Sequence, residues 1–225
     1  MKQAILIACV CVGATAFGAT ALGPSATLKE KNGQVNRLLK IKPPKGSAAE
    51  KKQKDDIKAL ASTLLDYGEL TKRAMADHWD KITSAQQTDL VTTLKELIER
   101  NYVKQLRSNI DYKVLYKEEN IDGDEATVHS VVKVKTKGRD TDADIVYKLR
   151  KVDAGWVVWD VVTDEVSLMR NYKSQFNRII TDNGFPELLK RMKDKLKQDD
   201  DQNAKDKAAK SGTKTADAKT GAGGK

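Results

Sequence analysis

Apolar residues in this chain follow a helical rhythm first and a strand rhythm second. Ile57, Leu60, Ala61, Leu64 and Leu65 recur three and four positions apart. That spacing sets them on one face of an amphipathic helix that begins near Glu50 and is ended by Gly68. Leu70, Ala74, Met75 and Trp79 mark a second helix. Thr83-Ser84-Ala85-Gln86 has the form of a capping box, in which the threonine oxygen and the glutamine side chain satisfy free backbone amides at a helix start. The stripe Leu90, Val91, Leu94, Leu97, Ile98, Tyr102 and Leu106 carries this third helix from Ser84 to Arg107, about 36 Å of wall at 1.5 Å per residue.

The period then changes from helical to alternating. Tyr112–Tyr116 is a short strand candidate, and Asp122-Gly123-Asp124 is a turn. Over Ala126–Lys135, Val128, Ser130, Val132 and Val134 share one face, opposite His129, Val131, Lys133 and Lys135. Over Asp144–Lys151, Ile145, Tyr147 and Leu149 alternate with Val146, Lys148 and Arg150. Asp153-Ala154-Gly155 is a hairpin turn, and Trp156–Val162, apolar on both faces, reads as a well-paired central strand. Helices resume at Ser167, with Met169, Tyr172, Phe176 and Ile180 on one face. Asn183-Gly184 is a helix stop, and Pro186 suits the first turn of a last helix through Lys197. The predicted fold class is α+β: a curved antiparallel sheet of about four strands, covered on one face by N- and C-terminal helices.

The flanks differ in composition. Lys2, the apolar run Ala4–Val12 and the small residues through Ala19-Thr20-Ala21 have the order of a cleaved export signal. Cleavage is expected after Ala21, with Ala16 the second choice. Leu6-Ile7-Ala8-Cys9 resembles a lipoprotein box but comes too early in the apolar run. Residues 22–49, with Gly23-Pro24, Pro43-Pro44 and Gly46-Ser47 among scattered lysines, read as a flexible basic linker. Residues 50–197 form the domain. Residues 198–225 hold no apolar residue larger than alanine and read as a disordered low-complexity tail.

Charge and cysteine usage narrow the setting. The formal net charge is +9 and the mean hydropathy −0.59. Cys9 and Cys11 are the two cysteines, and both fall in the export segment. A mature chain without disulfides is expected to rely on its core, as suits a bacterial periplasm or cell surface. Export removes nucleic acid from the expected partners, and the basic balance serves either solubility or attraction to anionic lipid.

Chemical constellations are sparse. His78 and His129 are the two histidines and lie at no metal-ligand spacing. His129 falls on the lysine-bearing strand face. Asp160, mid-strand between Trp159 and Val161, reads either as a structural hydrogen-bond acceptor or as a buried carboxylate base. No second acid or base can be assigned beside it, so the acceptor reading is preferred and no catalytic residue is expected.

Two blocks carry a resemblance. Leu65-Asp66-Tyr67 through Trp79, then Thr83-Ser84-Ala85-Gln86 on to Tyr102, is similar to the D-[YF], W, T-x-x-Q and distal Tyr pattern of the MlaC-type, or toluene-tolerance, family of periplasmic phospholipid carriers. Gly155–Val162, followed by Glu165–Tyr172 and Gln175-Phe176, resembles that family's W-x-V-x-D-V strand leading into a G-V-S-L helix start. Glu165 stands where the family usually has glycine, Ala76-Asp77 replaces a Leu-Gly, and Gln87 and Leu90 replace an Arg and a Phe. The resemblance spans Glu50 to Lys197.

It implies an NTF2-like cone with an apolar cavity between helices and sheet, sheltering acyl tails while the headgroup stays in solvent. The implied ligand is a bound phospholipid, with no other cofactor and no enzymatic activity. The implied partners are an inner-membrane ABC transporter complex, to which the chain is an auxiliary component, and an outer-membrane complex. Shuttling between them would maintain outer-membrane lipid asymmetry, and a monomer is expected. Period selects the lining: Met75, Leu94, Leu97, Ile98, Tyr102, Tyr172 and Phe176 from helices, and Val132, Val134, Ile145, Tyr147, Trp156 and Val158 from strands. The alternatives are an envelope adaptor module with a solid core that docks through its lysine face, and an enzyme on a cone-shaped fold with Asp160 as base.

Overall fold

A computed structural model describes residues 22–108, 112–136, 139–153 and 155–216. The expected export signal (1–21), Ala154 of the expected turn and residues 217–225 of the expected tail lie outside the described residues.

Helix α2 (Ala48–Leu64) starts at Ser47, whose hydroxyl accepts from Glu50 N at 3.1 Å. The carboxylate of Glu50 reaches back to accept from Gly46 N at 2.7 Å, so two orphan amides are satisfied together. The helix ends at Leu64, short of the Gly68 stop expected from sequence. Leu65 turns extended and makes a parallel bridge with Val158, and Asp66 N donates to Val158 O at 2.7 Å. Asp66 then caps α3 (Tyr67–Met75), accepting from Glu69 N at 2.9 Å, and Gly68 lies inside that helix. Arg150 Nε donates to the other Asp66 oxygen at 2.7 Å, tying the α2–α3 junction to the sheet.

A 3₁₀ helix (Ala76–Lys81) leads to α4 (Ser84–Ser108). Its start is the reciprocal box expected from sequence. Thr83 N donates to Gln86 Oε1 at 2.9 Å, and Gln86 N donates to Thr83 Oγ1 at 3.3 Å.

The sheet runs in chain order and is antiparallel throughout: β1 (Tyr112–Asp122), β2 (Glu125–Thr136), β3 (Arg139–Val152), β4 (Gly155–Thr163) and the two-residue β5 (Val166–Ser167). The α+β class is as expected, with a fifth short strand and longer outer strands. Register shifts occur between Tyr116 and Glu119 in β1 and opposite the Lys148–Leu149 step of β3. At the second shift Lys148 faces Asp160 and Leu149 faces Val158, so Trp159 is the extra residue of a bulge. Val158 and Val161 both pack with the inner cluster of the sheet, while Trp159 and Asp160 are turned away from it.

Helix α5 (Leu168–Asn183) is capped by Ser167 and closed at Gly184, where φ is +81°. Helix α6 (Phe185–Ala216) follows.

Two flanking segments differ from the reading of sequence. Residues 22–49 are not a flexible linker throughout, since Pro24–Lys40 forms a helix, α1, with Leu28, Val35 and Leu39 buried. Gly23-Pro24 was expected to break structure, but Pro24 sits in the first turn, where its missing N–H costs nothing. The expected disordered tail begins as helix. α6 passes Gln198 and continues to Ala216, and Arg100 donates to Leu196 O at 3.0 Å and to Asp200 Oδ1 at 2.7 Å. Lys, Asp, Gln and Ala need no buried face to extend a helix already nucleated by packing. Among the described residues no helix is long and apolar enough to cross a membrane.

Candidate functional site

The apolar residues separate into three clusters. A helical core joins Met75, Leu90, Leu94, Ile98, Phe176 and Leu188, drawn from α3 to α6. An inner-sheet cluster joins Val128, Leu149, Trp156 and Val158 with Ala126 and, from α1, Leu28. A third cluster joins Val35 and Leu39 of α1 with Ile57 of α2 and Val103 of α4.

The residues expected to line one cavity are divided among these clusters. Met75, Leu94, Ile98 and Phe176 lie in the helical core, with Leu97 and Tyr172 packed against it. Trp156 and Val158 lie in the inner-sheet cluster, with Tyr147 against it. Tyr102 packs on the third cluster. Val132, Val134 and Ile145 are half-buried, and the register sets them on the same sheet face as Tyr112, Tyr116 and Ser130. The expected lining is thus spread over three clusters, and its helical and strand halves approach each other at Tyr102 and Tyr147.

What they flank is the inner face of the sheet, and α1 lies across it. Leu28 is only 3% exposed and touches the inner-sheet cluster. Ser25 N donates to Glu119 at 2.7 Å on β1, Lys29 stands over the Tyr116 ring at 5.5 Å, and Lys31 donates to Thr63 of α2 at 3.0 Å. The side chain of Gln53 donates to Leu38 O at 2.6 Å and to Ile41 O at 2.7 Å, fastening the end of α1. Sequence reasoning missed Leu28 because its stripe is sparse: Leu28, Val35 and Leu39 are spread over three turns with Gly33 between them. Val128 and Leu149 fall on the faces that the strand alternation predicts and lie outside the expected lining.

Beneath the C-terminal half of α1 the sheet carries hydroxyls. Tyr112 donates to Asn32 Oδ1 of α1 at 2.9 Å. Tyr102, Tyr112, Tyr116 and Tyr147 lie close enough to influence one another electrostatically. Burial, and after it their mutual proximity, pushes the Tyr102, Tyr112 and Tyr116 phenols well above the ordinary tyrosine range. Burial does the same to Tyr147, against a smaller opposing effect of the Ser130 hydroxyl.

Two open grooves lie on the surface of the described residues. One, of about 470 Å³, runs between α1 and α2 past Lys31, Arg37, Leu38 and Leu60. The other, of about 450 Å³, lies at the start of α6 by Phe185 and Leu189. Neither is bordered by any residue of the expected lining.

Asp160 is fully buried, with Ser167 Oγ donating to it at 2.7 Å and Met169 N at 2.9 Å. Both neighbours belong to the β5–α5 junction. This is the geometry of an acceptor that holds a helix start.

A five-stranded antiparallel sheet with one apolar face, a helix laid over that face and a helical core beside it define an α+β domain. The chain belongs to the MlaC protein family, which it matches over residues 29–194. Among solved structures it is similar to the phospholipid-binding protein from Ralstonia solanacearum, determined in complex with a phospholipid. The two share 23% identity over 79% of this chain and 98% of that chain, with a TM-score of 0.65, a likeness of fold. A second solved structure aligns over 31% of this chain and 60% of that chain at 12% identity and a TM-score of 0.29, too low to bear on the argument. No curated protein matches the chain.

Proposed function

We propose that the chain is a periplasmic phospholipid carrier that shelters acyl tails against the inner face of its sheet and shuttles lipid between an inner-membrane ABC transporter complex and an outer-membrane complex. The observation that carries the reading is the apolar inner face of Val128, Leu149, Trp156 and Val158 in a chain of the MlaC protein family. The solved relative of like fold is itself a phospholipid-binding protein.

Burial energetics dictate what the face must do. Each methylene taken out of water gains about 0.8 kcal/mol, so two tails of about fifteen methylenes require roughly 24 kcal/mol of equivalent shelter. Neither open groove offers that enclosure. The carrier instead needs the tails to enter beneath α1, taking over the contacts that Leu28 makes with the inner sheet and that Val35 and Leu39 make with α2 and α4. On this reading the architecture described above is the unloaded form.

A second reading has a specific observation in its favour. Leu70, Met75, Leu90 and Leu94 are packed to 1% exposure or less, as in an adaptor with a solid core. The discriminating experiment is native mass spectrometry of protein expressed with residues 1–21 and purified without detergent. A carrier shows an adduct with the mass of a diacyl phospholipid, recoverable by solvent extraction. An adduct-free protein that also fails to take lipid from vesicles leaves the adaptor reading in place.

A further inference from the structure

Four of the chain's six tyrosines, Tyr102, Tyr112, Tyr116 and Tyr147, converge on one small region between α1, α4 and the sheet. The register explains three of them. Tyr112 opens the β1 pairing with β2 opposite Val134, Tyr116 follows four residues on opposite Ser130, and Tyr147 is carried to the same face opposite Val128. Tyr102 approaches from α4, near Tyr112 in the third cluster.

A cavity meant only for hydrocarbon gains nothing from phenols. A buried O–H needs an acceptor, and leaving one unmet is costly. For Tyr112 the acceptor is Asn32 Oδ1, an amide oxygen supplied by α1 itself. An amide carbonyl and an ester carbonyl present the same lone pairs to a donor. If α1 leaves when lipid enters, Tyr112 loses Asn32 and needs a replacement oxygen at the same place. A diacyl phospholipid brings two ester carbonyls at the junction of tails and headgroup.

We infer that Tyr112 and Tyr116, backed by Tyr147 and Tyr102, form a subsite that donates hydrogen bonds to the ester carbonyls of a bound diacyl phospholipid, with Asn32 of α1 holding the place of one carbonyl in the unloaded protein. The inference rests on the phospholipid reading above and deepens it by naming the atoms recognised. The Tyr112 and Tyr116 side chains are half-buried, and partial burial raises their resistance to ionisation, so they remain neutral donors across the physiological range. Neutral donors suit a neutral carbonyl and leave the choice of charged headgroup to residues nearer solvent, such as Lys29 over Tyr116.

The test compares diester and diether phosphatidylglycerol of equal chain length, offered to lipid-stripped full-length protein. Two such hydrogen bonds predict that the diester binds about thirtyfold tighter when both carbonyls are recognised. Tyr112→Phe combined with Tyr116→Phe should shrink that ratio to about twofold or less, whereas Tyr67→Phe, in the helical core, should leave it intact. Equal affinity of the wild-type protein for the two lipids overturns the subsite while the carrier reading stands. So does a ratio that survives the double substitution. Binding of neither lipid overturns the carrier reading, and the subsite with it. The wild-type ratio needs no variant to fold.

Discussion

Ser167 and Asp160 are locked together: the Ser167 hydroxyl donates to the Asp160 carboxylate at 2.7 Å, while its oxygen accepts from Arg170 N at 3.0 Å. One hydroxyl thus links a mid-strand acid of β4 to the first turn of α5, and Asp160 adds a second bond by accepting from Met169 N. The D-V…S-L stretch of the sequence is therefore a helix-start device, built from a strand acid and a cap serine seven residues apart.

Removing the carboxylate leaves the Ser167 hydroxyl and the Met169 amide without their acceptor in a dry site. Asp160→Ala is expected to cost about 3 kcal/mol, and Asp160→Asn, which keeps one oxygen, about 1 to 2 kcal/mol. Urea denaturation should show lower midpoints with unchanged slope. An Asp160→Asn protein of full stability that had lost an enzymatic turnover would revive the base reading of this residue.

Much of this was open to reading from the chain, and the failures have physical causes. The Thr83–Gln86 box, the turn at Gly123 and the helix stop at Gly184 depend on neighbours within a few residues, and local patterns report local bonds. Gly68 misled because the α2–α3 break is set by Val158, far along the chain, which draws Leu65 and Asp66 onto β4. The bulge at Trp159 reverses the alternation, so that Val161 rather than Asp160 joins the inner face, and a period-two count cannot see an extra residue. Period also assigned Leu94 and Phe176 to an inward face correctly, but it cannot say whether that face meets a sheet or another helix. Helix α1 was hidden by the prolines at its flanks and by a stripe that makes sense only against the sheet it covers.

The division into clusters makes Leu94 and Val158 separable. Leu94 is 0% exposed in the helical core. Leu94→Ala should lower stability by about 3 kcal/mol and leave the lipid carried per folded molecule unchanged. Val158→Asp puts a charge on the face that α1 covers, and it should depress lipid content in the fraction that remains folded. Extraction and quantification of lipid from the gel-filtered folded protein measures both. Equal lipid loss from the two variants would show that the helical core, too, lines the tail site.

The tyrosine group predicts how stability falls at high pH. Burial raises the folded-state values of Tyr102, Tyr112 and Tyr116 above the unfolded value of about 10. A phenol that binds its proton more tightly when folded contributes stability that is whole below the unfolded value. That contribution is lost as pH climbs toward the folded one. Stability should therefore hold to about pH 9 and fall beyond about pH 10, each such phenol adding up to about 1.4 kcal/mol per pH unit to the slope. Tyr116→Phe should make the decline shallower. Tyrosinate absorbance followed together with circular dichroism provides the check, because ionisation and unfolding should coincide. Early titration of all six tyrosines in a still-native protein would contradict the buried placement.

Gly33 offers the most direct probe of whether α1 is part of the folded unit. It lies mid-helix, and a methyl group added there would meet only the mobile guanidinium of Arg37, at 3.7 Å. Alanine in place of glycine at such a helical position stabilises by about 0.5 to 1 kcal/mol, partly by restricting the unfolded chain. If α1 is docked in the unloaded protein, Gly33→Ala should raise its melting temperature by a few degrees. On the carrier reading, in which α1 leaves the inner face for tails to enter, the same substitution should also slow lipid uptake from vesicles. No gain in melting temperature, with fast amide exchange across Pro24–Lys40, would return residues 22–40 to the status of a linker.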